Sequence, residues 1–197
     1  MGKENSVVVF NPWEIVSAGA ISNSGLSANI EDSYINTLQM ELVALTSLSF
    51  SDNIELIVEY SGDGSNWVGS TALSVLLNNN DSTTLLGDVT AGDFSVPLVA
   101  AFSLFSAPGS VWFIQDSTIA NSESVRTETE SLDIVQVSAP DGIINNHATA
   151  SNAYANVKQW SLFVPASVKF VRALCNNLDT TYSVAFTARI LKTTSLT

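Results

Sequence analysis

One histidine, one cysteine and nineteen carboxylates bound the chemistry open to this 197-residue chain. A Ser-His-Asp arrangement would have to use His147 as its base. The chain has no G-x-S-x-G elbow, and His147 lies in an Asn/Ala-rich stretch where it reads as an exposed loop histidine. A Cys/His zinc cluster within one chain is excluded by the same counts. Cys175 has no intrachain partner and reads as a small buried hydrophobe. Glu55 and Glu59 share a strand face roughly 13 Å apart. That is wide for a glycosidase pair, and they read as solvent-facing charges that discourage edge pairing. The stretch from Ser61 to Asn66 offers calcium a single carboxylate, Asp63, where six to eight oxygens are needed. Gly62-x-Gly64 lacks the third glycine of a dinucleotide loop. No catalytic residue, cofactor or metal is expected, and the chain does not read as an enzyme.

The elements around these residues read as short strands between turns. Ile54, Leu56, Val58 and Tyr60 alternate with Glu55, Ile57 and Glu59, which predicts a half-buried antiparallel strand. Ser61-Gly62-Asp63-Gly64-Ser65-Asn66 then reverses the chain before Trp67, so Asp63, Gly64, Asn66 and Trp67 form a structural turn. Val7 to Phe10 predicts a first strand stopped by Asn11-Pro12. Residues 13–30 read as loop with a short edge strand. Residues 35–48 fit a helical stripe or a strand, and their Thr, Ser and Val content favours the strand. Residues 115–131 are polar and read as mobile surface, 132–137 as a strand, and 143–157 as loop. Trp160 to Val164, Val168 to Cys175 and Tyr182 to Ile190 read as strands, the last two joined by a hairpin loop at 176–180. The pattern predicts an all-β protein: an antiparallel β-sandwich, jelly-roll or galactose-binding-like, forming one domain over 1–197. An insertion separates the central from the C-terminal strands, with 115–157 as the insertion or mobile loop region.

Net charge is −12, and from Glu4 to Val125 there are fourteen acids and no Lys or Arg. Nucleic acid and anionic membrane are therefore not expected partners. Charged residues make up only 13% of the chain, against about 25% in ordinary domains. A low-charge surface suits a protein that meets other protein surfaces. Residues 94–114 are apolar, but Pro97, Pro108 and Gly109 divide them into two core elements rather than a membrane span. The surplus of apolar surface predicts an interface drawing on Phe102, Phe105, Trp112 and Phe113, with the basic C-terminal strands facing the acidic N-terminal half of a neighbouring copy. Trp13, Trp67, Trp112 and Trp160 read as core; an exposed pair of them would offer a sugar-stacking platform.

Two segments carry a resemblance. Glu59-Tyr60-Ser61-Gly62-Asp63-Gly64-Ser65-Asn66-Trp67 resembles the S-x-D-G-x-N-W hairpin of galactose-binding-like (discoidin-type) β-sandwiches. Val164-Pro165-Ala166-Ser167-Val168-Lys169-Phe170-Val171-Arg172 resembles their later strand, in which an aromatic-Val-Arg run follows a short turn. The pair also resembles small tailed-bacteriophage virion proteins. That resemblance implies a virion structural protein (head decoration, head-fibre, neck or tail component) assembled in the host cytoplasm. Its partners would be copies of itself and other virion proteins. The alternative is a carbohydrate- or surface-binding module whose partner is a surface glycan. Far-ultraviolet circular dichroism should show strand and little helix; helix above about a third of the residues would contradict the sandwich.

Overall fold

In a computed structural model of the chain, residues 3–23, 25–33, 35–78, 80–100, 105, 107–131, 134–137, 142–165 and 167–195 are described. Among them lie the strands β1 Lys3–Val16, β2 Ala28–Asn29, β3 Ile35–Ala44, β4 Ile54–Ser61, β5 Val68–Val75, β6 Ser82–Thr84, β7 Ser95–Pro97, β8 Val111–Gln115, β9 Glu123–Ser131, β10 Ile134–Val137, β11 Asn152–Tyr154, β12 Lys158–Val164, β13 Phe170–Asn177 and β14 Val184–Ser195. A 3-10 turn, Ile119–Asn121, precedes β9. The chain divides into two compact units: Met1–Leu42, Phe50–Leu77 and Gln159–Thr197 form the first, and Val43–Ser49 with Asn78–Lys158 the second.

The first unit is built from two four-stranded sheets, ordered β1-β14-β3-β12 and β2-β13-β4-β5. Counting only these eight strands, the first neighbours the last, the second the seventh, the third the sixth and the fourth the fifth. This is one long antiparallel ribbon rolled up so that its eighth strand meets its third and its seventh meets its fourth: a jelly roll. Alternation drives the rolling, because each strand has one apolar face that needs cover. Leu38, Met40, Leu56, Val171, Cys175 and Phe186 are fully buried there. Burial pushes the Cys175 thiol pKa well up, and the charge of Glu14 adds to it, so the thiol stays protonated. The second unit interrupts the ribbon between its fifth and sixth strands.

That second unit is a six-stranded antiparallel sheet, ordered β6-β11-β8-β9-β10-β7. Its two ends also meet. Leu85 bridges Leu98, Leu86 N donates to Pro97 O at 2.9 Å and Val99 N donates to Thr84 O at 2.9 Å. The ends of the sheet therefore meet at this bridge, curling it into a small barrel. Phe105, Trp112, Ile114, Val96, Val135 and Ala153 help fill its core.

Four expectations need correction. β1 does not stop at Asn11-Pro12; it runs through them on two register shifts, between Val9 and Asn11 and between Asn11 and Glu14. β1 lies at a sheet edge, where the N–H that Pro12 lacks costs no ladder bond. Residues 115–131 are not mobile surface, because β9 pairs with both β8 and β10 and buries Val125 and Thr127. Within 143–157, β11 is a wall strand of the barrel, and Ile143, Ala155 and Val157 are buried. Asn176 to Thr180 is not a hairpin: β13 and β14 belong to different sheets, so the loop arches from one to the other.

That arch is fastened by two polar side chains. Asn177 Nδ2 donates to Tyr182 O at 2.8 Å and Ser17 O at 3.2 Å. The buried carboxylate of Asp179 accepts from Thr181 N and Tyr182 N at 2.8 Å each and from Ser51 N at 2.7 Å. Burial alone would raise the Asp179 pKa. The N–H groups of Tyr182, Thr181 and Ser51, with the Ser51 hydroxyl, outweigh it and hold the group below the usual carboxylate range. The stability it contributes is present above the unfolded value of about 3.9 and is lost as pH falls through the lower folded value. Asp179→Asn should therefore cost on the order of 1–3 kcal/mol at neutral pH, through weakened bonds to buried donors. Denaturant midpoints followed from pH 7 down through the carboxylate range check this: the variant should lose less stability on acidification than the wild type.

Candidate functional site

The Asp63 turn is built by one carboxylate. Asp63 Oδ1 accepts from Ser65 N and Asn66 N at 2.8 Å each, and Oδ2 accepts from Asn66 Nδ2 at 2.7 Å. The Asn66 and Ser65 N–H groups, then the Asn66 and Ser61 side chains, hold the Asp63 pKa well below its ordinary value. Gly64 has φ +76°. The register of β4 and β13 sets Arg172 opposite Glu59 and Phe170 opposite Ser61. Arg172 Nε bonds Glu59 Oε2 at 2.5 Å, and its guanidinium stacks 4.3 Å from the Trp67 ring centroid. The two segments carrying the family resemblance are thus adjacent strands, tied by one arginine. Glu59 is a strand-to-strand tie rather than a free edge charge.

Three of the four aromatic residues expected at an interface are buried within the chain. Phe105 and Trp112 lie in the core of the second unit, and Phe113, on the other face of β8, is fully buried as well. Phe105 meets Trp112 edge-on at 5.6 Å, and Trp112 Nε1 donates to Thr127 Oγ1 at 3.1 Å. Phe102 lies outside the described residues. The core of the second unit takes up Val96, Leu98, Phe105, Trp112 and Ile114 of residues 94–114. The basic strands are also engaged within the chain: Lys169 pairs with Glu31 at 2.5 Å and Arg189 with Glu41 at 3.0 Å, and Lys192 Nζ donates to Asn29 O. Exposed apolar side chains are spread over both units, and among the jelly-roll edge strands Val68 on β5 is 77% exposed. Val7 is 58% and Val9 56% exposed on edge strand β1, and Phe163 is 66% exposed on edge strand β12.

His147 is not an exposed loop residue. Its side chain is fully buried in the second unit, with Nε2 2.8 Å from Glu123 Oε1 and Nδ1 3.5 Å from Asp116 Oδ2. Asp116 directly follows β8, Glu123 opens β9, and the His147 main chain is held by reciprocal bonds with Val89, 2.9 Å each. No local pattern could have announced this cluster, because its members are 7 and 24 residues apart; the single histidine was the one available signal. A shallow depression of ≈ 370 Å³ on the same unit, lined by Ser82, Thr83, Thr84, Val99, Ala100 and Asn152, presents no ionisable group. Trp13 and Trp112 are buried, and Trp67 and Trp160 half-buried. Among the described residues no helix is long and apolar enough to cross a membrane.

No family profile matches the chain, and no curated protein matches it. Two viral structures are weakly similar. One is the structure of infectious bursal disease virus Gx strain, at 7% identity over 97% of this chain and 82% of that one, with a TM-score of 0.23. The other is VP17, a capsid protein of bacteriophage P23-77, at 9% identity over 99% of this chain and 98% of that one, with a TM-score of 0.18. Superpositions at that level carry no structural argument, and the fold assignment rests on strand order.

The left-handed backbone at Gly64 sets the cost of change there. A Cβ would find ordinary contact with the Phe170 ring, 3.6 Å away, so conformation rather than crowding decides. Gly64→Val should cost on the order of 1–3 kcal/mol, while Ser65→Ala, which leaves the Ser65 N–H bond to Asp63 intact, should be nearly silent. Thermal melts of the two variants check the contrast.

Proposed function

We propose that this protein is a virion structural protein that works by protein–protein assembly, in a head-decoration, head-fibre, neck or tail position of a tailed phage. The observation that carries the reading is the rolled ribbon of eight strands, an architecture used in viral capsid domains and lectins among others. A lectin reading needs an open aromatic platform. Two of the four tryptophans are buried, and Arg172 covers one face of Trp67. The low charge fits surfaces that meet other protein surfaces. The ends of the second unit's sheet are bonded to each other, whereas the jelly-roll sheets end in strands with one unpaired side. There β1 combines an edge position with exposed valines and no charged residue between Glu4 and Glu14. In a chain of net charge −12, such a stretch lets copies approach without bringing like charges together. Sedimentation at micromolar concentration should show a stable homo-oligomer, trimeric in preference to dimeric. Val7→Lys with Val9→Lys should shift it toward monomer while leaving the circular dichroism unchanged. A wild-type chain that sediments as a monodisperse monomer, also in raised salt, would contradict the assembly role.

A further inference from the structure

We propose that the outer face of the second unit, where the two ends of its sheet meet, is a self-contact on which another copy of this chain docks across a two-fold axis. The register builds the face. Leu85 bridges Leu98, Leu86 N donates to Pro97 O and Val99 N donates to Thr84 O, so Leu86 stands opposite Pro97 and Thr84 opposite Val99. β10 extends the rows, with Ile134 opposite Pro97 and Gln136 opposite Ser95. Successive side chains point to opposite faces of a sheet. Leu85, Val96, Leu98 and Val135 point into the core. Leu86, Pro97, Val99 and Ile134 therefore point outward, and Leu86 is 61%, Val99 56% and Ile134 45% exposed. Single exposed apolar residues need no explanation, but a row across three adjoining segments marks a contact surface.

Charge and shape commit the occupant to a second copy. The row itself carries no ionisable group. At its rim, Gln136 Nε2 donates to Ser95 Oγ at 2.8 Å, and Asp88, two residues beyond Leu86, is held by the Thr149 N–H and hydroxyl at 2.7 Å each. A chain of net charge −12 can meet its own copy on such a face without opposing like charges. The depression of ≈ 370 Å³ lined by Ser82, Thr84, Val99 and Asn152 shares Thr84 and Val99 with this face and has no ionisable lining either. An isologous contact needs a knob and a hollow side by side on one surface. The two-fold then sets each copy's Leu86 over the other's hollow, so that each contact is made twice. An apolar centre within a neutral polar rim has the anatomy of a protein contact. Four apolar residues are few beside the roughly 20–30 that each side of a stable interface supplies, so the contact is weak alone and acts between copies already brought close. The inference rests on the assembly reading in taking a second copy as the occupant, but β1 belongs to the other unit and either contact can fail alone.

Sedimentation equilibrium of the full chain carrying Val7→Lys and Val9→Lys isolates this contact from the edge of the jelly roll. From micromolar to several hundred micromolar, its mass should rise toward twice the low-concentration value. Adding Leu86→Glu and Ile134→Glu should weaken that step by ~10-fold or more, with the circular dichroism unchanged. In the wild type, the methyl resonances of Leu86, Val99 and Ile134 should shift over the same concentration range, and those of the buried Leu85 and Leu98 should shift less. Mass and resonances that both stay constant, the result expected if a different kind of partner uses this face, would overturn the proposal. So would a doubling of mass that Leu86→Glu with Ile134→Glu leaves intact. A wild type that is monomeric at micromolar concentration but doubles on concentration through Leu86 and Ile134 would contradict the edge contact and uphold this one.

Discussion

The pairing of the first strand with the last is the constraint on which the jelly roll depends. β1 runs antiparallel to β14 from Lys3 against Ser195 to Val16 against Val184, so nearly the whole chain separates the partners. Closing so long a loop costs entropy that grows only slowly with length, and the inner pairs shorten what remains. β2 against β13 and β4 against β5 are steps down the same ribbon. A ribbon of this kind tolerates a large insertion, because Asn78 to Lys158 adds only a logarithmic term to closure once the insertion folds on its own core. The expected consequence is slow folding, as in other folds dominated by non-local strand pairs.

The acidity of the chain has a structural use that counting charges does not reveal. Asp63, Asp88, Asp93, Asp116, Glu123 and Asp179 each accept backbone N–H groups in turns and loops. A protein of short strands has many such turns, and each leaves donors outside the ladders. The Thr149 hydroxyl and N–H lower the pKa of Asp88 in the same way that the Asp63 turn lowers its own. Glu31, Glu41 and Glu59 are taken up by Lys169, Arg189 and Arg172. Much of the negative charge therefore serves the chain's own backbone and bases, and acidity by itself names no basic partner.

The legible parts of the sequence were those encoded locally. Alternation in residues 54–60 placed β4, and valine and threonine content resolved 35–48 as β3 rather than helix. The strands from Trp160 onward followed from the same period. The parts that escaped depend on distant partners. Residues 115–131 and 143–157 look like polar loop because β9 is rich in Glu, Ser and Thr and β11 is only three residues long; only the neighbours β8 and β10, or β6 and β8, make them strands. Asn176 to Thr180 has hairpin composition, and nothing local says that the next strand joins the opposite sheet. The barrel's closure at Leu85 and Leu98 was likewise invisible, so the aromatics at 105, 112 and 113 looked like surplus surface.

The claim that matters most for function is that copies of this chain associate through the open edge of the jelly roll. Amide hydrogen exchange of Ser6 to Val9, compared between dilute and concentrated protein, tests it most directly. On an antiparallel edge strand every second N–H points away from the neighbour, so half of these amides have no ladder partner in β14. The account predicts that these amides gain protection as concentration rises, while amides in β13, inside its sheet, do not change. Exchange at Ser6 to Val9 that stays fast and independent of concentration would contradict it.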